Sequence, residues 1–339
     1  MRTVFLWASA AVLTVLSVAY AGDKEVLQFV GSIPMEGVEG RIDHMAARPD
    51  GRRLFVAALG SDLVEEIDTQ RRKVVGTIRG IKEPQGVYYI EKSKRLAVAS
   101  GGDGNVRIYD QDSRLVGTVD SLEDADNVRY DSASNLLYVG YGQGALAIID
   151  SDKAVKVAEI PLDGHPESFQ LERNGDRIFV NVPTAAEIEV ADRRKRSLLT
   201  RWRLTAAAAN FPMALDETNQ RLFVGCRKPA RLLALNAASG EVVANLRACG
   251  DTDDLFYDSA NRKIYLSGGA GCVSVFDQVD STSYKGLRTI TTPSGARTSL
   301  FVTTSRTLYV AVPRRGPHKA EILIIKAVPD VGLHKSDRN

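Results

Sequence analysis

The sequence has few cysteines and no motif that would attach a cofactor through them. Its 339 residues include three cysteines, Cys226, Cys249 and Cys272. No C-x-x-C-H occurs, which excludes c-type haem attachment by that motif, and no paired C-x-x-C indicates structural zinc. Because three is odd, at most one disulfide forms within the chain. Cys226–Cys249 and Cys249–Cys272 are the candidate pairs; three buried thiols or a thiolate site for a soft metal are the alternatives.

The chain also lacks an excess of charge of one sign. Lys and Arg number 44 and Asp and Glu number 42, for a net charge of +2. A general nucleic-acid-binding surface carries a basic excess, so we expect no general nucleic-acid binding. The one basic cluster, residues 193–196, falls in a predicted hairpin turn and is interpreted as a solvated loop.

Long hydrophobic runs are confined to the N-terminus. A positive start is followed by an uncharged apolar run over residues 4–18 and by the small-x-small sequence Ala19-Tyr20-Ala21. This order is typical of a secretory signal peptide, which we predict over residues 1–21. An uncleaved anchor is the alternative, but the run is short for a membrane span. We therefore expect a periplasmic or secreted protein with no membrane span after signal cleavage.

What the chain contains in abundance is one repeated pattern of short apolar strands. The pattern LFVA, LAVA, LYVG, IFVN, LFVG, IYLS and LYVA begins at seven reference residues, namely Leu54, Leu96, Leu137, Ile178, Leu222, Ile264 and Leu308. Their successive spacings are 42, 41, 41, 44, 42 and 44 residues. Each unit contains about four strands bounded by turn residues, and no long helical periodicity occurs. Such a period with four strands favours propeller blades over helical solenoids.

The two ends of the chain complement each other. Residues 26–33 resemble a fourth strand with no first three before it, and residues 321–325 a third strand with no fourth after it. A circular fold can join them. We therefore predict an all-β, seven-bladed β-propeller over residues 22–328, with four antiparallel strands per blade. The N-terminal strand closes the last blade, and residues 329–339 form a polar tail.

The repeat carries a specific resemblance. Asp-Gly-x-x-Leu-(Phe/Tyr)-Val, a glycine turn and a strand ending in Ile-Asp resemble the YVTN-repeat β-propeller family, which includes YncE-like exported proteins. The nearest match to the family's tetrapeptide is residues 178–181, Ile-Phe-Val-Asn, without its Thr. The resemblance covers the mature chain and implies an exported seven-bladed propeller, frequently without known catalysis. No motif carries over the haem or quinone cofactors of related propellers.

Candidate site residues lie in the segments that immediately precede the first strand of each blade, here called the leading segments. By analogy with other propellers, these segments surround one end of the central channel. They differ from one another far more than the strands do, which favours a binding site. The candidate ligand-binding residues are Arg41, Asp43, His44, Gln85, Asp126, Asn127, His165, Glu167, Asp253, Asp254 and Arg297.

Three interpretations of these residues stay open. Carboxylates with an amide suit calcium or magnesium, and the candidate metal ligands are Asp126, Asn127, Glu167 and Asp253. His44 or His165 would shift the preference toward a transition metal. Alternatively, Arg41 and Arg297 bind an anionic ligand through their planar guanidinium groups. In the third interpretation the acids only cap strand ends and pair with those arginines.

The function predicted from the sequence is a binding module. Its channel mouth would engage a small-molecule ligand or a periplasmic or extracellular protein. The first alternative is a hydrolase of lactones or esters that depends on a divalent cation in the channel. The second is an accessory propeller of a periplasmic redox system. No catalytic residue is assigned.

Overall fold

The computed structural model of the protein describes residues 26–328. The predicted signal peptide, residues 1–21, and the predicted tail, residues 329–339, lie outside the described residues. The described chain forms seven four-stranded antiparallel sheets, each a meander except where the two ends of the chain meet. The innermost strand of each sheet contacts that of the next sheet all the way round, so the sheets close into a ring. The predicted seven-bladed propeller is confirmed.

The first four blades follow one another along the chain. Blade 1 contains β2 (Met45–Ala47), β3 (Arg53–Ala58), β4 (Leu63–Asp68) and β5 (Lys73–Arg79), with a 3-10 turn at Leu59–Ser61. Blade 2 contains β6 (Pro84–Ile90), β7 (Arg95–Ser100), β8 (Asn105–Tyr109) and β9 (Leu115–Val119). Blade 3 contains β10 (Val128–Asp131), β11 (Leu136–Tyr141), β12 (Ala145–Asp150) and β13 (Val155–Pro161). Blade 4 contains β14 (Phe169–Leu171), β15 (Arg177–Val182), β16 (Glu187–Asp192) and β17 (Ser197–Arg203).

The remaining three blades complete the ring. Blade 5 contains β18 (Ala208–Asp216), β19 (Arg221–Lys228), β20 (Ala230–Asn236) and β21 (Val242–Arg247). Blade 6 contains β22 (Thr252–Asp258), β23 (Lys263–Gly268), β24 (Cys272–Gln278) and β25 (Tyr284–Thr291). Blade 7 contains β26 (Ser299–Val302), β27 (Thr307–Val312), β28 (Glu321–Ala327) and, as its outermost strand, β1 (Leu27–Pro34).

Closure of the ring depends on the pairing of β1 with β28. The two strands run antiparallel, with Leu27 opposite Ala327 and Ile33 opposite Ile322. Ile33 is fully buried in a cluster that joins blade 7 to blade 1. Burial of one such side chain contributes about 1.5–3 kcal/mol. The predicted closure by the N-terminal strand is confirmed.

The second strand of each blade is apolar at successive positions because it is covered on both faces. In β15, Phe179 packs against blade 5 and Val180 packs against blade 3. A strand that is buried on both faces shows a continuous apolar run rather than an alternating pattern. This explains why the sequence pattern that defines the reference residues is the most regular one in the chain.

The register between first and second strands is the same in all seven blades. The residue nine positions before each reference residue lies opposite the residue two positions after it, as in Met45 opposite Val56 and Val128 opposite Val139. The same offset places Ser299 opposite Val310 in blade 7. Each leading segment therefore arrives at an equivalent place at one end of the channel.

The cysteines resolve into one disulfide and one buried thiol. Cys249 and Cys272 are bonded, with Cα atoms 5.8 Å apart, a separation ordinary for disulfides. The bond ties the leading segment of blade 6 to the start of β24. Cys226 is buried and free, and burial raises its pKa to about 12. The alternatives of a Cys226–Cys249 pair, three thiols or a thiolate metal site are therefore wrong.

Candidate functional site

The site lies where the leading segments meet around one end of the channel, here called the channel mouth. Backbone hydrogen bonds attach these segments to the ends of the second strands. The Asp43 N–H donates to the Ala57 carbonyl at 2.8 Å, and the Asp126 N–H donates to the Gly140 carbonyl at 2.9 Å. The equivalent bond in blade 4 joins the Glu167 N–H to the Asn181 carbonyl at 3.0 Å. These backbone hydrogen bonds therefore fix the Cα positions of the three acidic residues.

His44 lies among three carboxylates from different blades. Its Nδ1 is 3.5 Å from Asp254 Oδ1, and its Nε2 is 3.7 Å from Asp126 Oδ1 and 3.9 Å from Asp43 Oδ1. Burial by itself lowers the pKa of His44, but the hydrogen bond and charge of Asp254, followed by the charges of Asp43 and Asp126, raise it to about 10. The imidazole is therefore charged at neutral pH and offsets part of the negative charge around it.

Two arginines bind the neighbouring carboxylates. Arg41 Nη2 lies 2.8 Å from Asp43 Oδ2, and Arg227 Nη2 lies 2.6 Å from Asp253 Oδ1. The Arg227 guanidinium also stacks 3.5 Å from the centre of the Phe211 ring. Burial and the charge of Asp43 raise the pKa of Asp253 to about 7, even though Arg227 lowers it. The 2.6 Å contact with Arg227 engages Asp253, which is not one of the residues that converge at metal-ligand spacing.

Asp126, His165 and Glu167 form a group with metal-ligand geometry. One potential ligand atom from each lies within 4.8 Å of the other two. Asp126 is 6% exposed, and its Oδ1 has no hydrogen-bond partner. His165 Nδ1 is 2.7 Å from the Gly142 carbonyl, which can only accept. Nδ1 therefore donates this hydrogen bond, and Nε2 is the ring nitrogen that a metal could use.

The charges of the acids in this group are only partly compensated, His44 being the nearest cation to Asp126. Burial raises the pKa of Asp126 to about 6, with His44 lowering it and Asp43 raising it. Burial, followed by the charges of Asp126 and Asp253, raises the pKa of Glu167 well above its usual value. Buried carboxylates are stable only when they are paired, protonated or bound to a cation. A divalent cation between them would supply the missing charge.

Other residues predicted for the site lie at the channel mouth but outside this group. Gln85 Nε2 donates to Asp124 Oδ1 at 3.1 Å, and Arg297 pairs with Asp251 at 3.1 Å. Asn127 is buried and its Oδ1 has no partner, but the amide is not one of the three converging ligands. Of the four metal ligands predicted from the sequence, the structure brings Asp126 and Glu167 together and adds His165.

Sequence analysis overlooked two arginines. Arg227 lies five positions after its reference residue, where the other blades have Leu, Gly or Pro. Arg129 lies eight positions before its reference residue, where no other blade has a charged residue. Comparison of the seven units position by position reveals both as exceptions. That comparison would have found them.

Arg129 faces the channel interior. A cavity of about 500 Å³ is lined by the inner strands of all seven blades, with His44 and Asp254 among its lining residues. Asp254 is the one carboxylate in this lining, whereas its basic residues are His44, Arg48, Arg129 and Arg173. Arg129 donates to the Val128 carbonyl at 2.9 Å and to Ser168 Oγ at 3.3 Å. The channel therefore combines an acidic mouth with a basic interior.

Within residues 26–328 the structure contains no helix that is long and apolar enough to cross a membrane. The fold and the channel mouth define a seven-bladed propeller of the kind that commonly serves as a binding module. Among solved structures, a chain of hydrazine synthase from Kuenenia stuttgartiensis matches with a TM-score of 0.70 and 14% identity, covering 82% of this chain and 95% of that one. A chain of the mitotic checkpoint complex matches with a TM-score of 0.70 and 14% identity, covering 96% and 99%. At this identity the likeness shows the fold alone.

Two sequence relatives indicate which kind of β-propeller this chain resembles. The uncharacterized protein YncE of Salmonella typhimurium (strain LT2) is 23% identical over 197 residues, 56% of this chain and 55% of the relative. YncE of Salmonella typhi is 22% identical over the same length. The chain thus spans about half the length of the curated relatives it matches, and no protein-family model matches it. The repeat pattern, the fold and these relatives together support the resemblance to YncE-like β-propellers.

Proposed function

We propose that this protein binds a divalent cation at the channel mouth and, beneath it, an anionic small molecule in the channel. The observation that carries the proposal is the buried Asp126 Oδ1. This atom has no hydrogen-bond partner and lies with His165 and Glu167 at metal-ligand spacing. The protein would act as an exported ligand-binding module.

The donor set indicates which cations fit. Two carboxylates and one imidazole are three protein ligands, which leave further coordination positions for water or a ligand. The imidazole nitrogen favours zinc over calcium or magnesium, which prefer oxygen ligands, and the two carboxylates also suit manganese. The Gly142 carbonyl supports this role because it holds His165 in the tautomer that coordinates through Nε2.

The chemistry of the channel supports an anion as the second ligand. Arg129 is half-buried, and its guanidinium donates to the Val128 carbonyl and to Ser168 Oγ rather than to a carboxylate. A guanidinium in such a cavity is a favourable partner for a carboxylate or phosphate group. A ligand that reaches from Arg129 toward the cation would meet positive charge at both ends.

Cation-dependent hydrolysis of lactones or esters is the second candidate, since open coordination positions can activate water. Binding is favoured because the pKa of His44, about 10, keeps this imidazole protonated and unable to act as a general base at neutral pH. Export to the periplasm or outside the cell is part of the proposal. The Cys249–Cys272 bond supports it, since disulfides persist in oxidising compartments.

Titration calorimetry with Zn²⁺, Mn²⁺ and Ca²⁺ on chelator-treated protein tests the cation site. We expect Zn²⁺ or Mn²⁺ to bind, and Asp126→Asn and Glu167→Gln each to weaken binding at least about tenfold, the equivalent of about 1.4 kcal/mol. Gln85→Ala is the matched control, because Gln85 occupies the equivalent place in blade 2 outside the group. Wild-type protein that binds none of the three cations would refute the proposal. Chelator-sensitive turnover of a lactone or ester would favour the hydrolase instead.

A further inference from the structure

A second group of carboxylates lies where blade 3 passes into blade 4, away from the channel. Potential ligand atoms of Asp163, Glu187 and Glu189 all lie within 4.8 Å of one another. Asp163 lies in the connection that follows β13, and the two glutamates lie at the start of β16. The group therefore connects the loop between blades 3 and 4 to a strand of blade 4.

Glu189 is the unusual member of the group. Its residue is 0% exposed, and the Asp163 N–H donates to its Oε1 at 2.9 Å. Its Oε2 is buried and has no hydrogen-bond partner. A buried carboxylate oxygen without a partner is costly unless something positive reaches it.

The charges around Glu189 leave room for a divalent ion. Arg201, opposite Glu189 in the register of β16 and β17, pairs with Asp163. Arg201 thus supplies one positive charge against three carboxylates, an excess of two negative charges when all three are ionised. Two negative charges and an all-oxygen donor set match calcium or magnesium rather than a transition metal.

Blade 1 provides an internal comparison. Glu65 occupies the same register place in β4 as Glu189 does in β16, opposite Val56 and Val180 respectively. Glu65 is also buried, but Thr77 Oγ1 donates to its Oε2 at 2.6 Å. The position itself therefore tolerates a glutamate whose oxygen is satisfied by a neighbouring hydroxyl. Blade 4 has no such hydroxyl opposite Glu189, since Arg201 takes that place.

We propose that Asp163, Glu187 and Glu189 form a structural Ca²⁺ site that links the loop after blade 3 to blade 4. The site differs from the channel mouth in its residues and its donor chemistry. Bound Ca²⁺ would attach the crossing segment to β16 and stabilise the folded chain by mass action.

Equilibrium dialysis of the full chain with Ca²⁺, with bound metal measured by elemental analysis, tests the proposal. Glu189→Gln keeps the shape of the side chain and the Oε1 acceptor while it removes the charge. We expect this variant to bind one Ca²⁺ fewer per chain than the wild type, and to lose the matching Ca²⁺-dependent rise in melting temperature. Glu65→Gln, the matched control, should bind as much Ca²⁺ as the wild type.

A double variant, Asp126→Asn with Glu167→Gln, separates this site from the channel mouth. It should keep the Ca²⁺ that Glu189→Gln loses, whether or not the channel mouth binds metal. Equal Ca²⁺ in Glu189→Gln and wild type would overturn the proposal, as would complete loss of Ca²⁺ in the double variant. Loss in Glu65→Gln as well would also overturn it, since burial of a charge rather than coordination would then explain the result.

Discussion

We predict that Gly86 is essential to the position of Asp126. The substitution Gly86→Ala, which adds one methyl group, tests this prediction. Gly86 lies in β6, and a Cβ built on it would be 2.1 Å from the Asp126 carbonyl oxygen and 2.9 Å from Val128 Cγ2. Ordinary contact begins near 3.4 Å, so Gly86→Ala requires a displacement of about 1 Å between these two backbone segments. Overpacking of this kind costs about 1–3 kcal/mol. In a domain of this size each kcal/mol lowers the melting temperature by roughly 1.5–2 °C, from an unfolding entropy of about 2.1 cal/mol/K per residue.

The same displacement should act on the proposed cation site. Metal–ligand distances tolerate only about ±0.2 Å, so a shift of about 1 Å at Asp126 should weaken Zn²⁺ or Mn²⁺ binding about tenfold or more. Thermal unfolding followed by circular dichroism measures the first effect, and titration calorimetry measures the second. Gly286→Ala in β25 is the control, because its Cβ would meet nothing within 4 Å. A Gly86→Ala protein with unchanged stability and cation affinity would show that the contact between blades 2 and 3 does not position Asp126.

Three further outcomes follow from the fold. Ile33→Ala should destabilise the protein by about 2–5 kcal/mol in urea unfolding, because Ile33 is fully buried where the ring closes. The control is Phe29→Ala on the same strand. Phe29 is 61% exposed, so its replacement should change stability by less than about 0.5 kcal/mol. Replacement of both Cys249 and Cys272 by Ser should cost about 3 kcal/mol, since the bond closes a loop across a sequence separation of 23. The Cys226 thiol, with its pKa raised to about 12 by burial, should react with a thiol reagent at pH 8 only after denaturant is added; rapid reaction of the native protein would contradict its burial.

The architecture could be predicted from the sequence because it repeats. Each reference residue starts an apolar strand that is covered on both faces. The continuous apolar run that marks each blade is therefore visible in the sequence without knowledge of distant contacts. The closure of blade 7 by β1 was predictable for the same reason, since one incomplete unit at each end implies a joint unit. The first-strand register follows the same repeat, as the pairing of Met45 with Val56 and of Val128 with Val139 shows.

The composition of the site could be predicted less completely than the architecture. Counting places Asp126, Glu167 and Asp253 in equivalent positions, but it does not say which way each side chain turns. Arg227 pairs with Asp253, and His165, whose Nδ1 donates to the Gly142 carbonyl, lies in the group with Asp126. These choices depend on contacts between different blades. The choice of Cys272 over Cys226 as the partner of Cys249 depends in the same way on a distance between strands.

The junction of blades 3 and 4 shows how a repetitive fold concentrates specific chemistry. Strands that repeat must keep their apolar residues to fill the spaces between blades, so variation is left to the leading segments and to rare exceptions in the strands. Residues 163–167 include Asp163, which belongs to the group with Glu187 and Glu189, and also His165 and Glu167, which lie at the channel mouth. Glu189 in β16 lies next to Asp163, and the leading-segment residue Asp126 lies next to His165 and Glu167. A single short connection thus contributes to both candidate cation groups, and the rigid sheets on either side keep the two groups at fixed places.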